Sequence, residues 1–344
     1  MSPLMKPDDR YSRQERFAPI GPAGQARIQS SRVAIIGLGA LGSVAADQMA
    51  RAGVGYLRLV DRDFVELSNL QRQSLYDEDD VRANLPKAVA AQRRLARINS
   101  SVRIEAVVDD VNATTVEDII DGVDLVLDGL DNFETRFTLN DACAKRSCPW
   151  IYAAAVGSSG VEMPILPGRT PCLRCFVENL PAPGSSPTCD TAGVIAPITH
   201  VIASIQVADA LRILSGQLEP RDIRLVSYDA WSGAFRRIDG GAPSKDCPVC
   251  AGGRYDYLAA TALRAVTLCG RNAVQLIPSV KADLDFLSIS RAVSAFGPVE
   301  FNDFLLQCTA EPYRLTLFKD GRAIVRGTEE AALARSLYSK MIGS

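Results

Sequence analysis

Two Cys-x-x-Cys pairs, Cys172-Leu-Arg-Cys175 and Cys247-Pro-Val-Cys250, are the residues whose type and spacing speak most directly of chemistry. Each short loop holds two sulfurs at the spacing that tetrahedral zinc accepts. Four thiolates leave no open coordination position, so an ion held this way would tie two distant segments together and catalyse nothing. Redox dithiols, or two unrelated pairs, are the competing readings of the same spacing.

A second group of residues points to phosphate. Gly37-Leu38-Gly39-Ala40-Leu41-Gly42 follows the apolar run 32–37 and opens a helix. Glycines at this spacing let backbone approach a phosphate, and a helix N-terminus favours negative charge. Asp61 ends the next apolar run and can accept hydrogen bonds from ribose hydroxyls. Beyond it come the polar run Ser68-Asn69-Leu70-Gln71-Arg72-Gln73, then Lys87, then Asp131 and Asn132. Taken singly, each of these charges reads as a solvated loop residue. Together, arginine and lysine with a carboxylate suit a triphosphate and magnesium better than a dinucleotide's pyrophosphate. NAD stays the alternative that the glycine pattern suggests. Against it, hydride transfer usually needs a positioned proton donor, most often histidine. The single histidine, His200, falls in an apolar stretch, where it reads as a satisfied core imidazole.

Cys189, in Thr188-Cys189-Asp190-Thr191-Ala192-Gly193, follows a Pro/Ser-rich loop. A thiol there, near a helix N-terminus, fits a nucleophile or a half-buried loop anchor equally well. Cys143, Cys148, Cys269 and Cys308 sit in apolar contexts and read as core residues.

The elements that must position these residues alternate. Strands are expected at 32–37, 54–61, 102–108, 124–130 and 150–156. Helices are expected from about Ser43 to Ala52, after Pro86, after a capping box of Thr114 with Glu117, and after Asn132. Strands separated by helices imply a parallel sheet with helices on both faces, whose ligands gather at the strands' carboxyl ends. Gly37–Gly42, Asp61 and Asp131 should therefore converge in space. From Val161 the pattern changes to a unit closed by the second cysteine pair, with strand pieces in 223–238. Gly252-Gly253 marks the expected boundary, giving domains 1–253 and 254–344. The tail reads as a small α+β unit with strands near 264–269, 273–277, 304–309, 313–318 and 322–326 and helices near 283–296 and 329–341. A length of 344 residues agrees with about two domains.

Composition limits the partners. Hydrophobic residues are 47% and charged residues 23%, an ordinary globular mix. With 38 basic against 40 acidic residues there is no excess of positive charge for a polyanion, so no nucleic-acid partner is expected. The first residues, MSPLMKPDDRYSRQERF, contain no apolar run of the signal-peptide kind. Thr191 to Ala208 lacks full charges, but Pro197, Thr199, His200, Ser204 and Gln206 make it a buried helix rather than a membrane span. A cytoplasmic protein without a membrane partner is the expectation.

In order and spacing, Arg10-Tyr11-Ser12-Arg13-Gln14, GLGALG, DRDFVELSNLQRQ, LPKA, DGLDNFETR, TPCLRC, TCDTAGVIAP and CPVC resemble the ThiF/MoeB family of adenylating enzymes related to ubiquitin activators. The resemblance covers about residues 10–253, and the tail is similar to the longer ThiF proteins of some bacteria. It implies a Rossmann-like fold and adenylation, with Mg-ATP, of the terminal carboxylate of a ubiquitin-like sulfur carrier ending in Gly-Gly. Pyrophosphate leaves, and a sulfur donor such as a cysteine desulfurase then allows a thiocarboxylate to form. Thiamin thiazole synthesis is the implied pathway, with a molybdopterin carrier as the alternative. By the resemblance, Gly37, Gly39, Ala40, Gly42, Ser68 and Gln71 line the nucleotide and Asp61 holds the ribose. Asn69, Arg72 and Lys87 bind phosphates, and Asp131 binds magnesium with Asn132 beside it. Arg13 is implied to reach the site of the other subunit in a homodimer, and Cys189 to match a cysteine that links covalently to the carrier. Many relatives have glycine where Ala40 stands; a methyl there is tolerable if only the backbone N–H touches phosphate.

Overall fold

The computed structural model describes residues 10–178, 192–219, 222–259, 265–268, 270–277 and 283–342. They fall into two compact units, the first reaching residue 259 and the second beginning at 265.

In the first unit, α1 (Ser12–Glu15) and α2 (Gly21–Ser30) precede β1 (Arg32–Ile36), α3 (Ala40–Ala52) and β2 (Tyr56–Val60). There follow α4 (Glu78–Arg82), α5 (Lys87–Ile98), β3 (Arg103–Val107), α6 (Val116–Ile119), β4 (Leu125–Asp128), α7 (Phe133–Arg146) and β5 (Trp150–Val156). Then come β6 (Ser159–Ile165), α8 (Leu173–Phe176), a long helix Ala196–Leu214, β7 (Arg224–Asp229) and β8 (Phe235–Asp239). The eight strands form one sheet in the order β3-β2-β1-β4-β5-β6-β7-β8. The first five run parallel, while β6, β7 and β8 continue the sheet as an antiparallel meander.

Burial explains this division. In β1, Val33 to Ile36 are fully buried, and β4 is buried along its length, as strands covered on both faces must be. At the other extreme, every residue of the edge strand β8 is exposed. The long apolar helix packs against α3, β4, β5 and β6 through Ile198, Ile202, Ala203, Val207 and Ala210. It is long and apolar enough to cross a membrane by composition, but here it covers a sheet. His200, expected in the core, instead lies on this helix's exposed side, its Nδ1 2.9 Å from Ala196 O. The stretch is apolar nearly all round, so hydrophobic periodicity does not reveal which face turns out.

Two further details differ from expectation. Thr115 rather than Thr114 precedes α6, and no side chain caps that helix. Asn112 organises the turn instead, its Oδ1 accepting from the Thr114 N–H and Oγ1. Beyond Gly252-Gly253 the chain still belongs to the first unit, because Tyr255, Tyr257 and Leu258 pack on its core.

The second unit is a six-stranded antiparallel sheet in the order β11-β12-β13-β14-β10-β9. Its strands are β9 (Ala265–Leu268), β10 (Ala273–Leu276), β11 (Val299–Phe301), β12 (Leu305–Ala310), β13 (Tyr313–Phe318) and β14 (Ala323–Arg326). Helices Phe286–Val293 and Ala331–Ile342 cover one face over a core of Val274, Leu306, Cys308, Leu315, Leu317 and Val325. The three-residue strand β11 is too short to have shown in the sequence.

Candidate functional site

Three strand ends meet at the glycine turn. Gly37 N–H donates to Val60 O at the end of β2, and Gly129 N–H donates to Ile36 O at the end of β1. Gly37 has φ +84°, and a Cβ there would lie 2.5 Å from Gly129 O. A Cβ on Gly42 would lie 1.8 Å from Gly37 O, so the first turn of α3 is pressed onto the loop. Two of the glycines in the pattern are thus required by packing. Gly39 differs: a methyl there meets only Gln73 Nε2, at 3.9 Å, leaving the backbone open at the helix N-terminus. Ala40, the first residue of α3, is partly exposed. An exposed helix N-terminus with unspent N–H groups is a ready anion site.

Asp61 stitches this turn to the segment beyond β2. Its Oδ2 accepts from Leu38 N–H at 2.6 Å and its Oδ1 from Asp63 N–H at 2.7 Å. Burial pushes its carboxyl up, opposed by the positive charge of Lys87. Lys87, the first residue of α5, is itself buried and donates from Nζ to Asp63 Oδ2 at 3.0 Å. Asn69 ends a single 3-10 turn, Leu67–Asn69, and is buried, its Oδ1 accepting from Glu66 N–H. Arg72 bends back, donating to Ser68 O at 2.9 Å, and Ser68 is exposed.

Gln71 is exposed, whereas Gln73 is buried with its amide beside Gly39 and its Oε1 without a hydrogen-bond partner. Gln73 is thus the glutamine that faces the glycine turn. Its neighbour Tyr76, also buried, donates to Leu38 O at 2.8 Å. The sequence places Gln73 in the polar run but offers no means to rank it above Gln71.

At the end of β4, Asp131 is exposed and accepts from Asn132 Nδ2, while Asn132 Oδ1 caps α7 through Thr135 N–H. Asp131 acts electrostatically on both Arg62 and Arg136, which places it beside the end of β2. A buried ion pair unseen in the sequence fixes this corner. Arg136 Nε donates to Asp128 Oδ2 at 2.9 Å, and its Nη2 donates to Leu130 O and Ala153 O. Leu130 N–H closes the loop onto Asp128 Oδ1.

Arg13 is not brought to this end. Its helix docks where α3 finishes: Gln14 donates to Ala52 O, and the ring of Tyr11 lies so close to Gly53 that a Cβ there has no room. Thirteen residues of α3, about 20 Å at 1.5 Å per residue, separate that point from the glycine turn. Cys189 lies outside the described residues, as does Cys269.

The two cysteine pairs come together. The four Sγ atoms lie within 4.8 Å of one another, with Cys172–Cys247 and Cys175–Cys250 each at 3.7 Å. Four sulfurs about 2.3 Å from a tetrahedral ion stand about 3.8 Å apart, whereas a disulfide needs about 2.05 Å. The set therefore fits zinc. Cys250 N–H also points at Cys247 Sγ, at 3.4 Å. Hydrogen bonding with Cys250, then burial, pushes the Cys172 thiol far above its ordinary range, and burial pushes Cys175 up to about 11. Crowded thiols of this kind ionise only beside a cation.

α7 joins the two regions. Below its capped start, Asn140 Oδ1 accepts from Leu173 N–H in the first cysteine loop, and Asp141 Oδ2 accepts from Tyr257 N–H. Arg174 lies over the rings of Phe137 and Tyr257.

Comparison with known proteins agrees with this arrangement. The chain is 44% identical over 338 residues to the sulfur carrier protein ThiS adenylyltransferase of Bacillus subtilis, covering 97% of this chain and 99% of the relative. The protein of that name from Escherichia coli is 38% identical over 252 residues, covering 72% of this chain and 96% of its own. Among solved structures, E. coli MccB with MccA-N7isoASN aligns with a TM-score of 0.62 at 24% identity, covering 72% of this chain and 76% of that one, a likeness of fold. The ThiF family model matches residues 11–249, from the first helix into the second cysteine pair. By a match of that extent, the chain belongs to the ThiF family.

Proposed function

We propose that this chain is a nucleotidyltransferase that uses Mg-ATP to adenylate the C-terminal glycine of a ubiquitin-like sulfur carrier of the ThiS kind, in thiamin thiazole synthesis. One observation carries the reading. The glycine turn, Asp61 and Lys87 converge at the ends of β1 and β2 with Asp131 at the end of β4, in a chain 44% identical to a ThiS adenylyltransferase.

A carboxylate is a poor electrophile, and AMP as leaving group makes it a good one. The chain's task is to align that carboxylate with the α-phosphorus and offset charge as pyrophosphate departs. In this reading Gly39 and Ala40 offer backbone N–H groups to phosphate at the start of α3, and Gly37 and Gly42 shape the turn. Asp61 takes the ribose, Ser68 and Gln71 line the approach, and Asn69, Arg72 and Lys87 bind the phosphates. Asp131, exposed and steadied by Asn132, is the carboxylate for magnesium, which supplies charge neutralisation. Arg13, held at the far end of α3, serves the active site of a partner subunit, so the enzyme works as a homodimer. Zinc held by Cys172, Cys175, Cys247 and Cys250 is structural. A sulfur donor, such as a cysteine desulfurase, completes the thiocarboxylate, and Cys189 is the candidate for a covalent link to the carrier.

Pyrophosphate–ATP exchange tests the reading, using thiamin-type and molybdopterin-type carriers with and without the terminal glycine. Exchange is expected with the intact thiamin-type tail only. Arg72→Ala should reduce it by roughly 10²–10³-fold, the usual effect of removing a group that stabilises transition-state charge, at an unchanged melting temperature. Exchange with the other carrier alone would move the pathway; none with either, from folded, zinc-loaded protein, would overturn the reaction.

A further inference from the structure

Gln73 lies beside the glycine turn, yet its amide holds nothing in the fold together. Its backbone is fixed: Gln73 N–H donates to Asn69 O at 3.0 Å, and Tyr76 N–H donates to Gln73 O at 3.3 Å. The side chain is 3% exposed, and its Oε1 has no hydrogen-bond partner. At the other end of the amide, Nε2 lies 3.9 Å from where a Cβ on Gly39 would stand. Among the described residues, no other atom beyond the adjoining ones comes within 4 Å of that point. A buried amide oxygen without a partner costs stability, so its retention asks for a reason outside the fold.

Gln206 makes the contrast clear. It too leaves Oε1 unpaired, but its Nε2 donates to Asp128 O at 2.9 Å and to Ile151 O at 3.0 Å, which ties the long helix to the sheet. Among the described residues the Gln73 side chain makes no such tie. The turn beside it is held by others: Tyr76 Oη donates to Leu38 O, and Asp61 Oδ2 accepts from Leu38 N–H. What lies next to Nε2 is the start of α3, a helix of 13 residues that no side chain caps. A donor seated beside such a terminus meets the same anion that the terminus attracts.

We propose that Gln73 is a phosphate-binding residue, its Nε2 donating to a non-bridging oxygen of the nucleotide's phosphate chain where that oxygen rests on the Gly39 and Ala40 N–H groups. The inference rests on the adenylation reading for the identity of the anion, and it adds an uncharged donor to the arginine and lysine of that reading. A neutral amide orients a phosphate by geometry alone. It does so without adding to the charge attraction that pyrophosphate must escape on leaving.

Titration calorimetry on full-length, zinc-loaded protein, with Mg²⁺ and an ATP analogue bridged by methylene between the α- and β-phosphorus, reads binding apart from reaction. Melting reads the fold, and pyrophosphate–ATP exchange with the thiamin-type carrier reads the chemistry. Gln73→Met keeps the length of the side chain and removes the amide. Its melting temperature should be no lower than the parent's, because a buried unpaired oxygen is lost, while analogue affinity falls about 10- to 100-fold. Gln73→Glu, equal in shape but turning a carboxylate oxygen toward phosphate, should weaken the analogue further than Gln73→Met. Gly39→Ala disturbs the same phosphate, so Gly39→Ala with Gln73→Met should lose less affinity than the product of the two single losses. Analogue affinity in Gln73→Met within about twofold of the parent's, or a loss that comes only with a lower melting temperature, would overturn the proposal and leave Gln73 as a packing residue. Failure of the adenylation reading looks different: the parent binds the analogue but exchanges with no carrier, and the titrations still decide Gln73. A parent that binds no analogue sinks both.

Discussion

The glycine-turn end of the sheet and the cysteine cluster share α7, yet they are built on opposite principles. At the glycine turn the charged groups Asp61, Lys87 and Arg136 already have protein partners. Asp61 accepts two backbone N–H groups, Lys87 meets Asp63, and Arg136 is closed onto Asp128 and two carbonyls. That end is held in place by the chain's own groups. In the cysteine cluster the reverse holds. Four thiols crowd within 4.8 Å, and with no cation beside them burial and mutual hydrogen bonding hold Cys172 and Cys175 above their ordinary range. The lesson is that the first region is shaped by the chain's own hydrogen bonds, whereas the second gathers four sulfurs in the arrangement that a tetrahedral cation accepts.

Metal removal is the largest expected break in this contrast. Stripping zinc with a strong chelator should lower the melting temperature by about 10 °C or more, taking roughly 2–4 °C per kcal/mol for a unit of this size. The Cys247→Ser variant should reproduce much of that loss and hold less than one zinc per chain. ATP removal should leave the melting temperature within the few degrees that ligand linkage accounts for. A chelated protein that melts where the loaded one does would show that the packing of Asn140, Arg174 and Tyr257 holds the cysteine loops unaided.

The glycine turn sharpens the other half. Gly42→Ala puts a methyl 1.8 Å from Gly37 O, so backbone must move apart, and a loss of about 3 kcal/mol or more is expected in denaturant unfolding, the range of severe overpacking. Gly39→Ala meets only an amide nitrogen at 3.9 Å and should cost the fold less than about 1 kcal/mol while weakening ATP at least tenfold. Equal destabilisation by the two would mean that the whole turn is a packing device and not an anion site.

How much of this could be read from the chain obeys the same division. The glycine turn, the strand-end aspartates and the paired cysteines are local patterns, in which spacing alone carries geometry. The parallel sheet followed from alternation of apolar runs and helices, but not the order of its strands. What did not show depends on tertiary contact. The Asp128–Arg136 pair spans a strand and a helix, and each residue alone reads as an ordinary charge. Gln73 outranks Gln71 only because the 3-10 turn at Leu67–Asn69 sets which side chain points inward. That His200 faces outward did not show, because buried Thr199 and Gln206 and exposed His200 and Ser204 on the same helix look alike in sequence. In the second unit five of the six strands were legible one by one, yet none carries a residue pattern with a stated chemistry.

An effect that depends on pH probes the element that the two regions share. Asp141 in α7 is buried, and burial pushes its carboxyl up to about 6 in spite of the bond from Tyr257 N–H. The folded pKa thus lies above the unfolded value of about 3.9. The folded chain holds this proton more tightly, so Asp141 favours folding below pH 4, and that contribution is lost as pH rises from about 4 through 6. Above that window the group is charged in both states and carries a constant penalty, at most about 3 kcal/mol for a shift of about two units. Asp141→Asn keeps an oxygen for Tyr257 N–H and removes the charge. Its melting temperature should match the parent's below about pH 4 and exceed it by several degrees at pH 8, with the difference growing between about pH 4 and 6. Zinc loss at low pH affects parent and variant alike, so the difference isolates Asp141. A difference that stays flat with pH would place the link between the two regions in packing and not in a buried charge.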